Sequence, residues 1–240
     1  MQAPRLNEIV NSIVERRNKV ILAIVLWLVA ISLASLLDAP VARWIRDSGL
    51  GSWMREHGTL AVVLDAPGVF YFTAAVAVVV AIVHPLKLRA AGFVLLAAVV
   101  SGLNGLVKWL VGRTRPFKLE PFDVAAPYTF SPFRGGLPGI FQSKNLCFPS
   151  GHAALAFATA AAVAMLWPRS RWRWGAYLIA AITAAERVAE NAHWLSDVVA
   201  AAALGVGGVR LLHWLLIKLL GEPVPRVLTE QRGFEVLTNE

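Results

Sequence analysis

The stretch FPSGHAALAFATAAA, Phe148 to Ala162, decides how this chain is read. Pro149 and Ser150 precede an alanine-rich apolar run, and serine is a preferred residue at a helix start. A helix beginning there leaves the N–H groups of Gly151 and His152 free, and its dipole adds positive potential. Such a start is built to receive an anion. Gly151 lets a ligand oxygen come close to the backbone, and His152 brings a titratable ring to the same place. Taken alone, Pro-Ser-Gly is often only a turn.

The apolar run belongs to a chain of the same character. Of 240 residues, 57% are hydrophobic and the mean hydropathy is +0.60, too apolar for an ordinary soluble domain of this length. Only 16% are charged, yet the net charge is +8. In a membrane protein such an excess reports topology and contact with anionic lipid, not nucleic acid. Cys147 is the only cysteine, so no intrachain disulfide is possible.

A span needs about 20 mostly apolar residues. Six segments come close, roughly 20–37, 68–84, 90–111, 151–167, 174–189 and 197–217. They predict an all-α, polytopic membrane helix bundle of about six transmembrane helices, forming one domain over residues 1–240. The first segment follows Arg16, Arg17 and Lys19. It is longer than a usual signal core, and no small-x-small cleavage site follows, so it reads as a retained helix. With six spans, the basic linkers 84–89 and 168–173 fall on the face of both termini. The positive-inside rule makes that face cytoplasmic. Linkers 38–67, 112–150 and 190–196 then face outward. The loop 117–147, rich in Pro, Phe and Gly, is too long for a mere connection and reads as a lid or headgroup-recognition element.

Two further polar clusters lie at the same outward ends. In KWLVGRTRP, Lys108 to Pro116, seven residues separate Lys108 from Arg115. Continued as helix, that spacing returns within about 20° of one direction, and Pro116 stops it. A lysine inside a span costs about 2.5–3.5 kcal/mol unless paired. Lys108 either faces an anion or snorkels to the interface, and both readings stay open. In ERVAENAHWLSD, Glu186 to Asp197, His193 and Asp197 stand four apart on one helical face. A carboxylate there accepts the Nδ1 proton and frees Nε2 as nucleophile or base. Arg187 meets His193 only if the helix breaks at ENAH, where Asn191 is a plausible cap. The plainer reading is a polar turn with an incidental His–Asp pair.

Together the clusters offer three cations, a helix-start anion site, two histidines and one orienting carboxylate. That set suits phosphoryl transfer through a histidine, with cations and N–H groups on the phosphoryl oxygens. No metal-ligand spacing such as H-E-x-x-H is present, so a metal-independent reaction is expected.

Lys108-x6-Arg115-Pro116, Pro149-Ser150-Gly151-His152 and Arg187-x5-His193-x3-Asp197 resemble, in order and spacing, the three signature motifs of the type 2 phosphatidic acid phosphatase superfamily. That superfamily also includes the vanadium haloperoxidases. The six segments are similar to its membrane-bound lipid phosphatase branch. The resemblance implies that His193 becomes phosphohistidine, that Asp197 orients it, and that His152 protonates the leaving oxygen. Lys108, Arg115, Ser150, Gly151 and Arg187 would cradle the phosphate. It implies no cofactor and no metal, and no obligatory protein partner is evident. The third motif usually begins Ser-Arg, whereas this chain has Glu186-Arg187. That carboxylate either repels substrate or pairs with Arg187 and holds it.

The expected function is hydrolysis of a terminal phosphate on a membrane lipid, with the site on the outer face of an inner or plasma membrane. Phosphatidate, phosphatidylglycerophosphate, polyprenyl diphosphate and lipid A phosphate are compatible substrates. A lipid phosphotransferase using the same phosphohistidine is the nearest alternative. A non-catalytic transporter or binding protein is the alternative of a different class, since intramembrane charge also marks transport pathways.

Overall fold

The computed structural model describes residues 6–119, 130–133, 136 and 146–220. Most of the expected recognition loop, with its Arg134 and Lys144, lies outside them. Eight α-helices run in order: α1 Leu6–Asp47, α2 Leu50–Glu56, α3 Gly58–Asp65, α4 Phe70–Val83, α5 Lys87–Val111, α6 Gly151–Leu166, α7 Trp172–Ala189 and α8 Leu195–Leu220. No strand occurs among the described residues, only two isolated bridges. The chain is an all-α membrane bundle.

Each of the six apolar segments overlaps a helix, but the helices differ in reach. Arg17–Asp47, Lys87–Val111 and Leu195–Leu219 are long and apolar enough to cross a membrane. Gly58–Gly68 and Phe70–Val83 meet at a 57° bend and make a fourth span if taken as one broken element. With 16 residues, α6 is about 24 Å long, short of a hydrocarbon core of about 30 Å.

That short helix sits at the centre. Ten of the sixteen α6 residues are buried, mostly alanines that let neighbouring backbones come close. It packs against α5, α7 and α8, and α1 lies along α8. A buried hydrogen bond of 2.9 Å between Thr73 and Thr159 ties α4 to α6. The outward sides of α1 keep large apolar residues such as Leu22, Leu26 and Leu33 exposed, as a lipid-facing surface does.

The linker 38–67 is not a plain connection. It forms the end of α1, then α2 and α3, and a 3₁₀ turn, Ala66–Gly68. Gly68 packs against His152 so closely that a Cβ on it would lie 2.5 Å from the histidine Cβ. Any other residue there would push the turn off the start of α6.

Candidate active site

Four chain segments meet where α6 begins. Ser150 is the N-cap of α6, its hydroxyl accepting from Ala153 N at 3.5 Å. Ser150 N donates to Asp197 O at 3.2 Å, which fixes the start of α6 against the start of α8. Asn104 of α5 donates from Nδ2 to Pro149 O at 3.2 Å. A Cβ on Gly151 would lie 3.9 Å from Lys108 Nζ, so the lysine ammonium stands over the free N–H groups of the helix start.

Arg115 reaches the site by a different route from the helical one. The α5 helix ends at Val111, not at Pro116, because Gly112 adopts φ +65° and closes it. In that conformation a Cβ would lie 2.0 Å from Ser131 O, so only glycine fits. Residues 113–115 then run extended beside 191–194, and Pro116–Lys118 form a 3₁₀ turn. Phe117 N donates to Asn191 O at 3.2 Å, Trp194 Nε1 donates to Thr114 O at 3.0 Å, and Arg115 reaches Ala192 O at 3.5 Å. Chiefly through burial, the Arg115 guanidinium is held below its ordinary pKa.

The break at ENAH is present. The α7 helix stops at Ala189, and Asn191 takes φ +58°, a position asparagine tolerates better than most residues. The turn brings His193 N to Arg187 O at 3.2 Å. His193 is 2% exposed, and its Nδ1 lies 3.3 Å from Asp197 Oδ2. Asp197 Oδ2 also accepts from Trp194 N at 3.0 Å. Burial, only partly offset by Asp197, pushes the His193 pKa down to about 4. A neutral ring that directs Nδ1–H to this carboxylate leaves Nε2 unprotonated.

Arg187 is crowded with carboxylates. It donates to Glu186 Oε2 at 2.5 Å and Oε1 at 2.6 Å, and to Glu190 Oε2 at 2.8 Å. Asp65 Oδ1 lies 3.2 Å from its Nε. The other oxygen of Asp65 is 3.3 Å from His152 Nε2, so Asp65 bridges the two. Lys108, Arg115 and Arg187 all stand within electrostatic reach of His152.

The eight residues singled out by sequence thus converge at one end of the bundle. Several neighbours were not singled out. Asp65 sits in α3, within a linker that carries no pattern of its own. Arg113 was passed over between Lys108 and Arg115, yet it is buried and donates to Asp197 Oδ1 at 2.7 Å. Burial opposes its charge, but Asp197 and Asp38 outweigh that and raise its pKa. Cys147 is fully buried, its thiol directed at Arg113 O and Thr114 O at 3.3 and 3.2 Å. Burial, then the charge of Asp197, pushes that thiol well above its ordinary pKa. No group of His, Cys, Asp and Glu suited to a metal ion occurs among the described residues.

A protein named Lipid A 1-phosphatase from Rhizobium johnstonii is 36% identical over 115 residues, 47% of this chain and 42% of that protein. One of the same name from Rhizobium etli is 38% identical over 109 residues, covering 45% and 42%. A third, from Porphyromonas gingivalis, is 37% identical over 78 residues, covering 32% and 18%. The matched part therefore spans less than half the length of these relatives. No solved structure matches the chain. The family described as PAP2 superfamily matches residues 87–220, more than half of the chain and all three polar clusters, and the chain belongs to that superfamily.

Proposed function

We propose that this protein is a membrane lipid phosphatase that removes a terminal phosphate through a phosphohistidine at His193, without a metal ion. The observation that carries the reading is the buried His193–Asp197 pair beside the α6 start, with Lys108 and Arg115 at the same place. Nε2 of His193 attacks phosphorus while the bond from phosphorus to the lipid oxygen breaks. His152 gives its proton to that oxygen. Lys108, Arg115, Arg187 and the N–H groups of Gly151 and His152 hold the phosphoryl oxygens. Water then attacks the phosphohistidine, His152 takes the water proton, and inorganic phosphate leaves with His193 restored.

A lipid substrate is supported by an apolar groove of about 640 Å³, lined by Val100, Leu103 and Val107 of α5 and by Ala203, Gly207 and Leu211 of α8. It begins at Phe148 and Pro149, directly before Ser150. Among the compatible lipids, the names of the relatives favour the 1-phosphate of lipid A. Sidedness is supported by charge. Lys87 and Arg89, with Arg169, Arg171 and Arg173, sit in or beside the turns at the bundle end away from the site. Both termini would then be cytoplasmic and the site would open outward.

The test is phosphate release by purified protein from lipid A, phosphatidate and a polyprenyl diphosphate, with the product identified by mass spectrometry. Loss of one phosphate from lipid A, faster than from the other two, is the expected result. Release from none of the three would remove the reading. Transfer of the phosphate to an added alcohol would make the protein a transferase.

A further inference from the structure

Behind the His193–Asp197 pair lies a second layer of charge that includes a residue outside the stretch matching the family. We propose that Asp38 of α1 and Arg113 are positioning residues, which fix the Asp197 carboxylate and keep it negative toward His193. The proposal rests on His193 acting as nucleophile.

The hydrogen bonds form a connected set. Asp197 Oδ2 faces His193 Nδ1 and Trp194 N, while Oδ1 accepts from Arg113 NH1 at 2.7 Å. Arg113 NH1 also donates to Ser196 Oγ at 2.7 Å, and its NH2 donates to Asp38 Oδ2 at 2.8 Å. Asp38 Oδ2 accepts from Ser196 Oγ at 2.5 Å, and its Oδ1 accepts from Ser196 N at 2.8 Å. The carboxylate that orients the nucleophile is held on both oxygens, and the arginine holding it is itself held. Arg113 also lies over the Trp194 ring, 4.9 Å from its centre.

The charges give Asp38 a second role. Two carboxylates and one guanidinium sum to −1, and all three side chains are at most 2% exposed. With Arg113 paired to Asp197 alone, the set would be neutral. Asp38 leaves these three side chains with a net negative charge, which adds to the pull on a cation at His193. The ring of His193 becomes that cation once Nε2 carries the phosphoryl group and Nδ1 keeps its proton. Stability is a weak account of the cluster, because apolar residues of equal volume often replace a buried ion set at no loss. Orientation and charge at Asp197 explain why charged residues stand there.

The test uses the full-length protein in detergent, with variants Asp38→Asn, Ser196→Ala, Asp197→Asn and the double variants with Asp197→Asn. Asp38→Asn should lower kcat about 10- to 100-fold, the range for partners that orient a reacting ligand, with KM nearly unchanged. Ser196→Ala should lower kcat by a smaller factor in the same direction. Added to Asp197→Asn, neither should cost more, because both act through that carboxylate. Imidazole ¹⁵N signals, assigned by their absence in His193→Ala, should show His193 losing its single tautomer in Asp38→Asn. Wild-type kcat in Asp38→Asn or Ser196→Ala, losses that multiply with Asp197→Asn, or an unchanged tautomer would each overturn the proposal. If Asp38→Asn does not accumulate folded, Ser196→Ala decides by the same criteria. Full activity of Asp197→Asn would instead remove the underlying reading of His193.

Discussion

Arg187 is forked onto the carboxylate of its own neighbour, Glu186, at 2.5 and 2.6 Å. Glu190 and Asp65 complete an acidic ring around it. A phosphate approaching this guanidinium competes with three carboxylates for one cation. Glu186→Ser, which restores the usual residue of the family motif, should therefore lower KM by roughly 3- to 10-fold, a charge-assisted pair or less. Steady-state kinetics and inhibition by inorganic phosphate check this. A raised KM would mean that Glu186 serves to hold Arg187 in place.

His193 sets a dependence on acid. Its pKa in the fold is about 4, against 6.5 ordinarily, because of burial. Between those values the unfolded chain binds a proton that the folded chain does not, so acidification favours unfolding. Stability should fall as the pH drops through that interval. His193→Ala should lack that part of the slope while abolishing turnover. Thermal unfolding in detergent across the interval, for both proteins, measures it.

Asp65 should matter more for rate than for binding. It touches His152 Nε2 and Arg187 Nε, so Asp65→Asn removes one of three carboxylates from Arg187 and the partner of the proposed proton donor. The expected result is a kcat lowered by about 10- to 100-fold, below the full worth of a general acid. KM should be unchanged or lower. A rise in KM alone would place Asp65 in substrate binding.

Positive charge in the proposed site comes from side chains. Activity should survive dialysis against EDTA, and vanadate should inhibit by taking up the five-coordinate geometry of in-line attack. Release assays with and without each reagent check this, and a strict need for added Mg²⁺ would contradict the proposed chemistry.

Sidedness can be read with thiol reagents, but not through Cys147, which is fully buried. Wild-type protein should stay unlabelled by an impermeant reagent. A cysteine at Phe133, which is 54% exposed beside the end of α5, should be labelled in intact cells. One at Ser170, in the turn between α6 and α7, should react only after permeabilisation. The reverse pattern would put the site on the cytoplasmic face.

Helix positions were legible because apolar runs bounded by basic turns leave little choice in a membrane. The motifs were legible because their spacing is local. The Ser150 cap and the break at Asn191 follow from residue type. What the sequence hid was convergence. Lys108 and Arg115 do meet in one site, but through a turn at Gly112 and not along one helix, and the helical angle was right for the wrong reason. Asp38, Asp65 and Arg113 gave no signal, because a lone charge in a linker or beside a motif looks solvated until its partners are known. Each is paired with a residue at least 75 positions away, a separation that no periodicity records.

The position of Asp38 bears on how the chain divides into modules. The family match begins at residue 87, while Asp38 and Asp65 come from before it. Cut at that boundary, the remainder would keep every signature residue and still lose Asp38 from Arg113 and Asp65 from His152. The matched stretch is thus not a transplantable unit. A chimera that exchanges α1 with a relative would have to carry the partner of Arg113 along. The first helix is a membrane anchor on its outer sides and part of the interior at its end.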